Sequence, residues 1–300
     1  MDKGHSKYLG ATRRNFGGFI FYIGMNKIII VMLLMISAAA PAGASQRYIS
    51  LAPATTEILF ALGLDNEIVG VSSYCDYPQA AKSKDKVGNF SQPNIEKIIS
   101  LKPDIIFATG LEQAGPVSQL RQLGLKVYVS DPSNMKELFN SIKDIGRLSA
   151  KEKEADALII RMQSVIDALA LKVNLIPSRK RPRVFVEIWH DPLITAGKSS
   201  FIDELITLAG GNNVASCVTK SYVYFSSEDV IRRNPECIIL TYMGKGSLGN
   251  IKSRLGWGKI SAVKNNRIYN DIDPDILLRP GPRLAEGLLE LHKRLYPKDE

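Results

Sequence analysis

From residue 47 onward, short continuous apolar runs alternate with segments whose apolar positions recur at three and four. Tyr48–Leu51, Ile68–Val71, Asp104–Phe107 and Lys126–Val129 read as buried strands. Between them the pattern predicts helices over Glu57–Leu62, from Asn94 to Pro103, over Val117–Leu123 and over Met135–Arg147. Gly63, Pro103 and Gly124 are the stops. Asn94 is a natural N-cap, and Glu96 in the first turn complements the helix dipole. The stretch Ser72–Gln92 is aromatic, polar and proline-containing, and reads as surface loop.

A second series follows. Ser149-Ala150-Lys151-Glu152 has the form of a capping box. It opens the longest periodic run, 150–174, with one apolar face made by Ala155, Leu158, Ile159, Met162, Val165, Ile166 and Leu169. A helix of that length spans roughly 37 Å, enough to bridge two domains. Strand and helix then alternate again: a strand at Val184–Trp189, helices at Ile202–Ala209 and Glu228–Arg233, strands at Cys237–Thr241 and Arg267–Tyr269, and a final amphipathic helix at Leu284–Leu295. Continuous apolar strands alternating with helices predict parallel sheet covered by helices, an α/β architecture.

One pattern occurs in both series. Glu96-Lys97-Ile98-Ile99-Ser100-Leu101-Lys102-Pro103-Asp104-Ile105-Ile106-Phe107 matches Glu228-Asp229-Val230-Ile231-Arg232-Arg233-Asn234-Pro235-Glu236-Cys237-Ile238-Ile239. A second echo precedes each copy: Thr56-Glu57-Ile58-Leu59 and Asp203-Glu204-Leu205-Ile206. The conserved order predicts two similar lobes in tandem, 45–148 and 177–300, joined by a linker helix at 149–176, with a ligand cleft between them.

Composition changes this picture little. Hydrophobic content is 45% and charged content 23%, values of a globular chain. The formal charge is +9, but the first 44 residues hold five Lys/Arg and one Asp, so the remainder carries 34 basic and 29 acidic residues, or +5. That charge is scattered and has no aromatic interleaving, so nucleic acid is not an expected partner. Residues 1–44 read as a signal-peptide region with Met25 as the true start: Asn26-Lys27, the apolar run 28–36, then Ala42-Gly43-Ala44 as the cleavage site. No cysteine stands at that site, so no lipid anchor is expected, and the mature protein is expected in a periplasm. Of three cysteines, Cys217 and Cys237 lie in one lobe and are the favoured disulfide pair; Cys75 is left over. No phosphate loop, nucleophile elbow or His-Glu-x-x-His occurs, and no catalytic residue is assigned.

Ile49-Ser50-Leu51-Ala52-Pro53-Ala54-Thr55-Thr56-Glu57-Ile58-Leu59, Ser72-Ser73-Tyr74-Cys75-Asp76-Tyr77-Pro78, Asn94-Ile95-Glu96 and Leu101-Lys102-Pro103-Asp104 resemble the helical-backbone substrate-binding proteins that serve ABC importers of cobalamin, haem and iron chelates. The likeness covers nearly all of 47–295 and points within the class to the vitamin B12-binding branch. It implies two Rossmann-like lobes with parallel sheets joined by one rigid helix, a monomer, and delivery of cobalamin or a related corrinoid to an ABC permease and its ATPase. It also implies that Glu96 and Glu228, one per lobe, dock on basic permease residues, which suits a two-fold symmetric partner. On the ligand side it implies Tyr74 facing the corrinoid, Phe90 at the cleft wall, and Asp275, Arg279 and Arg283 in a late loop. There Ile276, Leu277 and Leu278 depart from the branch. Trp189, able to stack on a flat macrocycle, and His190 end a strand on the cleft side. Tyr222 and Tyr224 either line the cleft or face solvent, and Trp257 reads as a packed loop aromatic. The other readings are a haem or ferric-siderophore binder, with Tyr74 and Tyr77 as iron ligands, a periplasmic enzyme, or a sensor partner.

Overall fold

The computed structural model describes residues 45–241 and 251–297; the segment 1–44 expected as a signal peptide lies outside the described residues. Residues 46–300 cluster as one compact unit. Its first half holds a four-stranded parallel sheet in the order β2-β1-β3-β4, with β1 Tyr48–Ser50, β2 Ile68–Val71, β3 Ile105–Ala108 and β4 Val127–Val129. The helices are α1 Pro53–Ala61, α2 Ile95–Ser100, α3 Ala114–Gln122 and α4 Met135–Leu148. Pro53 opens α1, where its missing N–H is no loss.

The second half holds a six-stranded sheet, β10-β9-β5-β6-β8, with β7 pairing the start of β5. Its strands are β5 Arg183–His190, β6 Leu193–Ala196, β7 Asn212–Asn213, β8 Tyr222–Tyr224, β9 Cys237–Leu240 and β10 Ile268–Tyr269. The helices are α6 Phe201–Leu208, α7 Ser227–Arg233, α8 Ser261–Lys264, α9 Asp275–Leu278 and α10 Leu284–Leu295. This sheet is mixed, not parallel throughout. β6 runs antiparallel to β5 because a tight turn at Asp191-Pro192 folds the chain straight back, a connection parallel strands cannot use, and β8 in turn pairs antiparallel with β6 at the sheet edge. The segment expected as a loop over Asp275–Arg283 begins with the short helix α9.

Between the halves runs α5, Glu152–Asn174, whose 23 residues span roughly 34 Å. Ala155, Leu158, Met162, Ile166, Leu169 and Val173 are buried along one stripe. They join Tyr48 and Leu138 of the first half to Leu205 and Leu291 of the second in one continuous core. The predicted capping box does not form. Ser149 Oγ donates back to the Ile145 and Gly146 carbonyls and so closes α4, and Ala150 turns left-handed before α5 starts on its own. The predicted Cys217–Cys237 bridge is also absent: Cys237 is buried in β9, Cys217 is exposed, and both are free thiols. Trp257 is fully buried, with the Arg254 guanidinium 4.5 Å from its ring centroid.

The repeated pattern has one physical job in both halves. Lys102 and Asn234, each before the repeated proline, adopt left-handed φ of 46° and 47°, which turns the chain out of the helix. The acid after each proline then grips the neighbouring strand: Asp104 accepts from the Arg47 backbone N–H at 2.7 Å, and Glu236 from that of Arg183 at 3.0 Å. In return the Arg47 and Arg183 side chains donate to the Leu101 and Asn234 carbonyls at the helix ends. The two arginines are matched partners that the repeat alone did not reveal.

The second echo has a different job. Glu57 of α1 reaches into the second half and holds Arg283 through two contacts of 2.7 and 2.9 Å. Glu204, its counterpart on α6, reaches the other way and accepts from the Met135 backbone N–H, at the start of α4, at 2.8 Å. Each half therefore sends one helix glutamate across to the other, on either side of α5.

Candidate functional site: a cleft between the two halves

Thr109 and Asp131, just beyond the carboxyl ends of β3 and β4, form part of one wall of an open cavity of about 540 Å³. Phe90, Thr109 and Asp131 line it on this side; Ser199, Ser221 and Tyr222 line it from the second half. The position follows from parallel topology, which leaves a crevice beyond the carboxyl ends of the strands. Gln113, fully buried, fixes the wall. Its amide donates to the Leu51 and Phe90 carbonyls at 3.0 and 2.7 Å, and its oxygen accepts from the Thr109 N–H at 2.9 Å. Nothing in the sequence singled it out, because glutamine has no motif of its own. Gln113→Leu strands two carbonyls and one N–H, and is expected to lower stability by about 2 kcal/mol. An unchanged urea midpoint would show that the loops are held by other means.

Of the sequence-predicted ligand residues, Phe90 lines this cavity directly. Tyr74, 52% exposed, meets the Phe90 ring edge-on at 6.4 Å between centroids. Trp189, 47% exposed, tilts against His190, and its indole N–H donates to the Asp191 carbonyl. Trp189, Ile194 and Tyr224 stand in register across β5, β6 and β8, so they share a face of the sheet. Both aromatics are exposed, and they form a shelf around Ile194. Tyr222 sits one step further along β8, on the cavity wall. Its phenol is raised above the usual range by burial and then by the facing Asp131 carboxylate.

Arg279, Arg283 and Asp275 stand elsewhere, in an ion-pair cluster that ties the halves together. Arg279 contacts Asp76 at 2.7 Å, Asp275 at 2.8 Å and Glu57 at 3.7 Å. Arg283 adds Asp273 at 3.4 Å to its pair with Glu57, and its guanidinium lies 3.9 Å over the Tyr77 ring. Two arginines thus face four carboxylates. Burial raises Glu57 above the usual carboxylate range although Arg283 opposes the shift. Burial likewise raises Asp275. At Asp76 burial is outweighed by the Arg279 hydrogen bond, and its carboxyl is lowered. The Glu57 hydrogen bond raises Arg283 further above its already high ordinary value, so the guanidinium keeps its charge.

Glu96 and Glu228 are both exposed, each in the first turn of its helix. They follow the matched caps Asn94 and Ser226, whose side chains accept from backbone N–H groups three residues on. Among the described residues no three His, Cys, Asp or Glu side chains gather as a metal site, and no helix is long and apolar enough to cross a membrane.

Residues 49–274 match the family described as periplasmic binding protein, and the chain belongs to that family. It is 37% identical over 257 residues to the uncharacterized ABC transporter substrate-binding lipoprotein YvrC of Bacillus subtilis, covering 84% of this chain and 80% of that one. It is 32% identical over 261 residues to the vitamin B12-binding protein of Vibrio vulnificus, covering 86% and 93%. The crystal structure of a possible iron-binding (periplasmic solute-binding) protein from Staphylococcus epidermidis superposes with a TM-score of 0.73 at 35% identity, covering 84% and 98%.

Proposed function

We infer that this protein captures cobalamin or a related corrinoid in the cleft and delivers it to an ABC permease and its ATPase. The observation that carries the reading is the aromatic lining on both sides: Phe90, with Tyr74 edge-on to it, from one half, and Tyr222 from the other, on the β8 face that also carries Tyr224 and, across Ile194, Trp189. Flat rings on both sides of a cleft with hydroxyl groups between them suit a flat macrocycle with a polar edge. The Vibrio vulnificus relative named for vitamin B12 binding supports it. The proposed signal segment 1–44 would export the chain to the periplasm, where it acts as a monomer and binds without catalysis.

A haem or ferric-siderophore cargo is the second reading, favoured by the likeness to the possible iron-binding protein. In this reading Tyr74 and Tyr77 remain the candidate iron ligands, since no three His, Cys, Asp or Glu side chains gather among the described residues. Titration calorimetry with cobalamin, cobinamide and haem separates the readings. Corrinoid binding at micromolar affinity or tighter supports the first, whereas a Soret band on the purified protein together with silent corrinoid titrations overturns it. Trp189→Ala is expected to weaken corrinoid binding about tenfold or more, at roughly 1–3 kcal/mol per stacked ring. Unchanged affinity in that variant removes the β5–β8 shelf from the site.

A further inference from the structure

The cavity wall also carries charge of one sign. Two acidic side chains line it, Glu112 and Asp131, and no Lys, Arg or His does so among the described residues. Lys198 and Lys220 adjoin lining residues in sequence but are not themselves on the wall. Arg279 and Arg283, which meet the Tyr74 loop at Asp76 and Tyr77, are already outnumbered by Glu57, Asp76, Asp273 and Asp275. They have no charge to spare for a ligand carboxylate.

Asp131 is also placed with care. Its carboxylate lies against Gly110, where a Cβ would overlap it, so the glycine makes the room. Its contact with Thr109 is long, 3.4 Å, which leaves most of its accepting capacity open to the cavity. Across the cleft Tyr222 lines the same cavity, with its phenol as a polar neighbour.

Resting on the reading of this cleft as the cargo site, we propose that Asp131 determines specificity by charge. Its carboxylate accepts hydrogen bonds from amide or amine N–H groups of a neutral or cationic macrocycle and repels a macrocycle bearing carboxylates. The cleft then favours an amide-edged corrin over haem with its two propionates.

The test compares one ring in two charge states: cobinamide, edged with amides, against cobyrinic acid, edged with carboxylates. The native protein is expected to bind cobinamide at least tenfold more tightly. Asp131→Asn narrows that preference at least fivefold, while Glu152→Gln, the same charge change on the exposed start of α5, leaves it intact. A preference that Asp131→Asn does not move, or a native preference for the acid, overturns the proposal and leaves the corrinoid reading standing. If neither corrinoid binds, the corrinoid reading falls. A tetracationic and a tetraanionic water-soluble porphyrin then decide the charge rule alone. Preference for the cation that Asp131→Asn diminishes upholds it, and equal binding defeats it. Melting curves show that the variant is folded.

Discussion

Glu57→Ala is expected to lower the unfolding free energy by about 3 kcal/mol, because it removes the buried, two-contact partner of the Arg283 guanidinium and leaves it only the longer contact to the exposed Asp273. Glu57 has a side-chain exposure of 2% and Arg283 of 11%, so water can replace little of the lost pairing. Arg279, 3.7 Å from the same carboxylate, loses part of its compensation too. The expected readout is a fall in the urea midpoint with an unchanged slope. Glu57→Leu combined with Arg283→Leu should cost clearly less than the two single changes summed, since no charge is then left stranded. Strict additivity in that cycle would mean that the pair is incidental and that packing carries the loss. Destabilisation by Glu57→Ala would also loosen the junction between the halves, because this contact crosses it next to α5.

The double charge reversal Glu96→Lys with Glu228→Lys is expected to reduce ligand uptake more than tenfold while leaving ligand affinity unchanged and lowering stability only slightly, by about 1–2 kcal/mol from placing cations at two helix N-termini. Both carboxylates are exposed, neither supports the core, and each stands in the first turn after a matched cap. Opposing like charges at a docking surface costs several kcal/mol and slows encounter. Each single reversal should give an intermediate loss, because one half can still engage. Uptake assays in cells lacking the native protein, beside titration of the purified variants, read the two effects separately. Normal uptake by the double variant would exclude a docking role for the pair.

The repeat was legible because each residue in it performs a local task. Proline can end a helix, an apolar pair can enter a sheet, and a cap can start a helix without reference to distant chain. What Asp104 and Glu236 grip was not legible, since Arg47 and Arg183 lie far away in sequence and arginine has many uses. The failed capping box has the same origin. Ser149 could cap forward or backward, and the close of α4 took it first. Strands β6 and β8 were missed as a unit because four and three residues carry too little periodicity to announce a direction.

By itself the sequence determined the α/β class, the tandem order of the two halves, the bridging helix, and Glu96 and Glu228 as an exposed matched pair. All of these follow from local propensity and from periodicity, which a chain cannot hide. Only the tertiary structure decided that Glu57 and Glu204 are crossing clasps, that Arg279 and Arg283 are spent on carboxylates, and that Asp131 faces the cleft beside Gln113's buried clamp. Those outcomes depend on which charges the packing brings within a few ångströms of one another. Coulombic and hydrogen-bond energies vary steeply over that distance, and sequence spacing does not encode it.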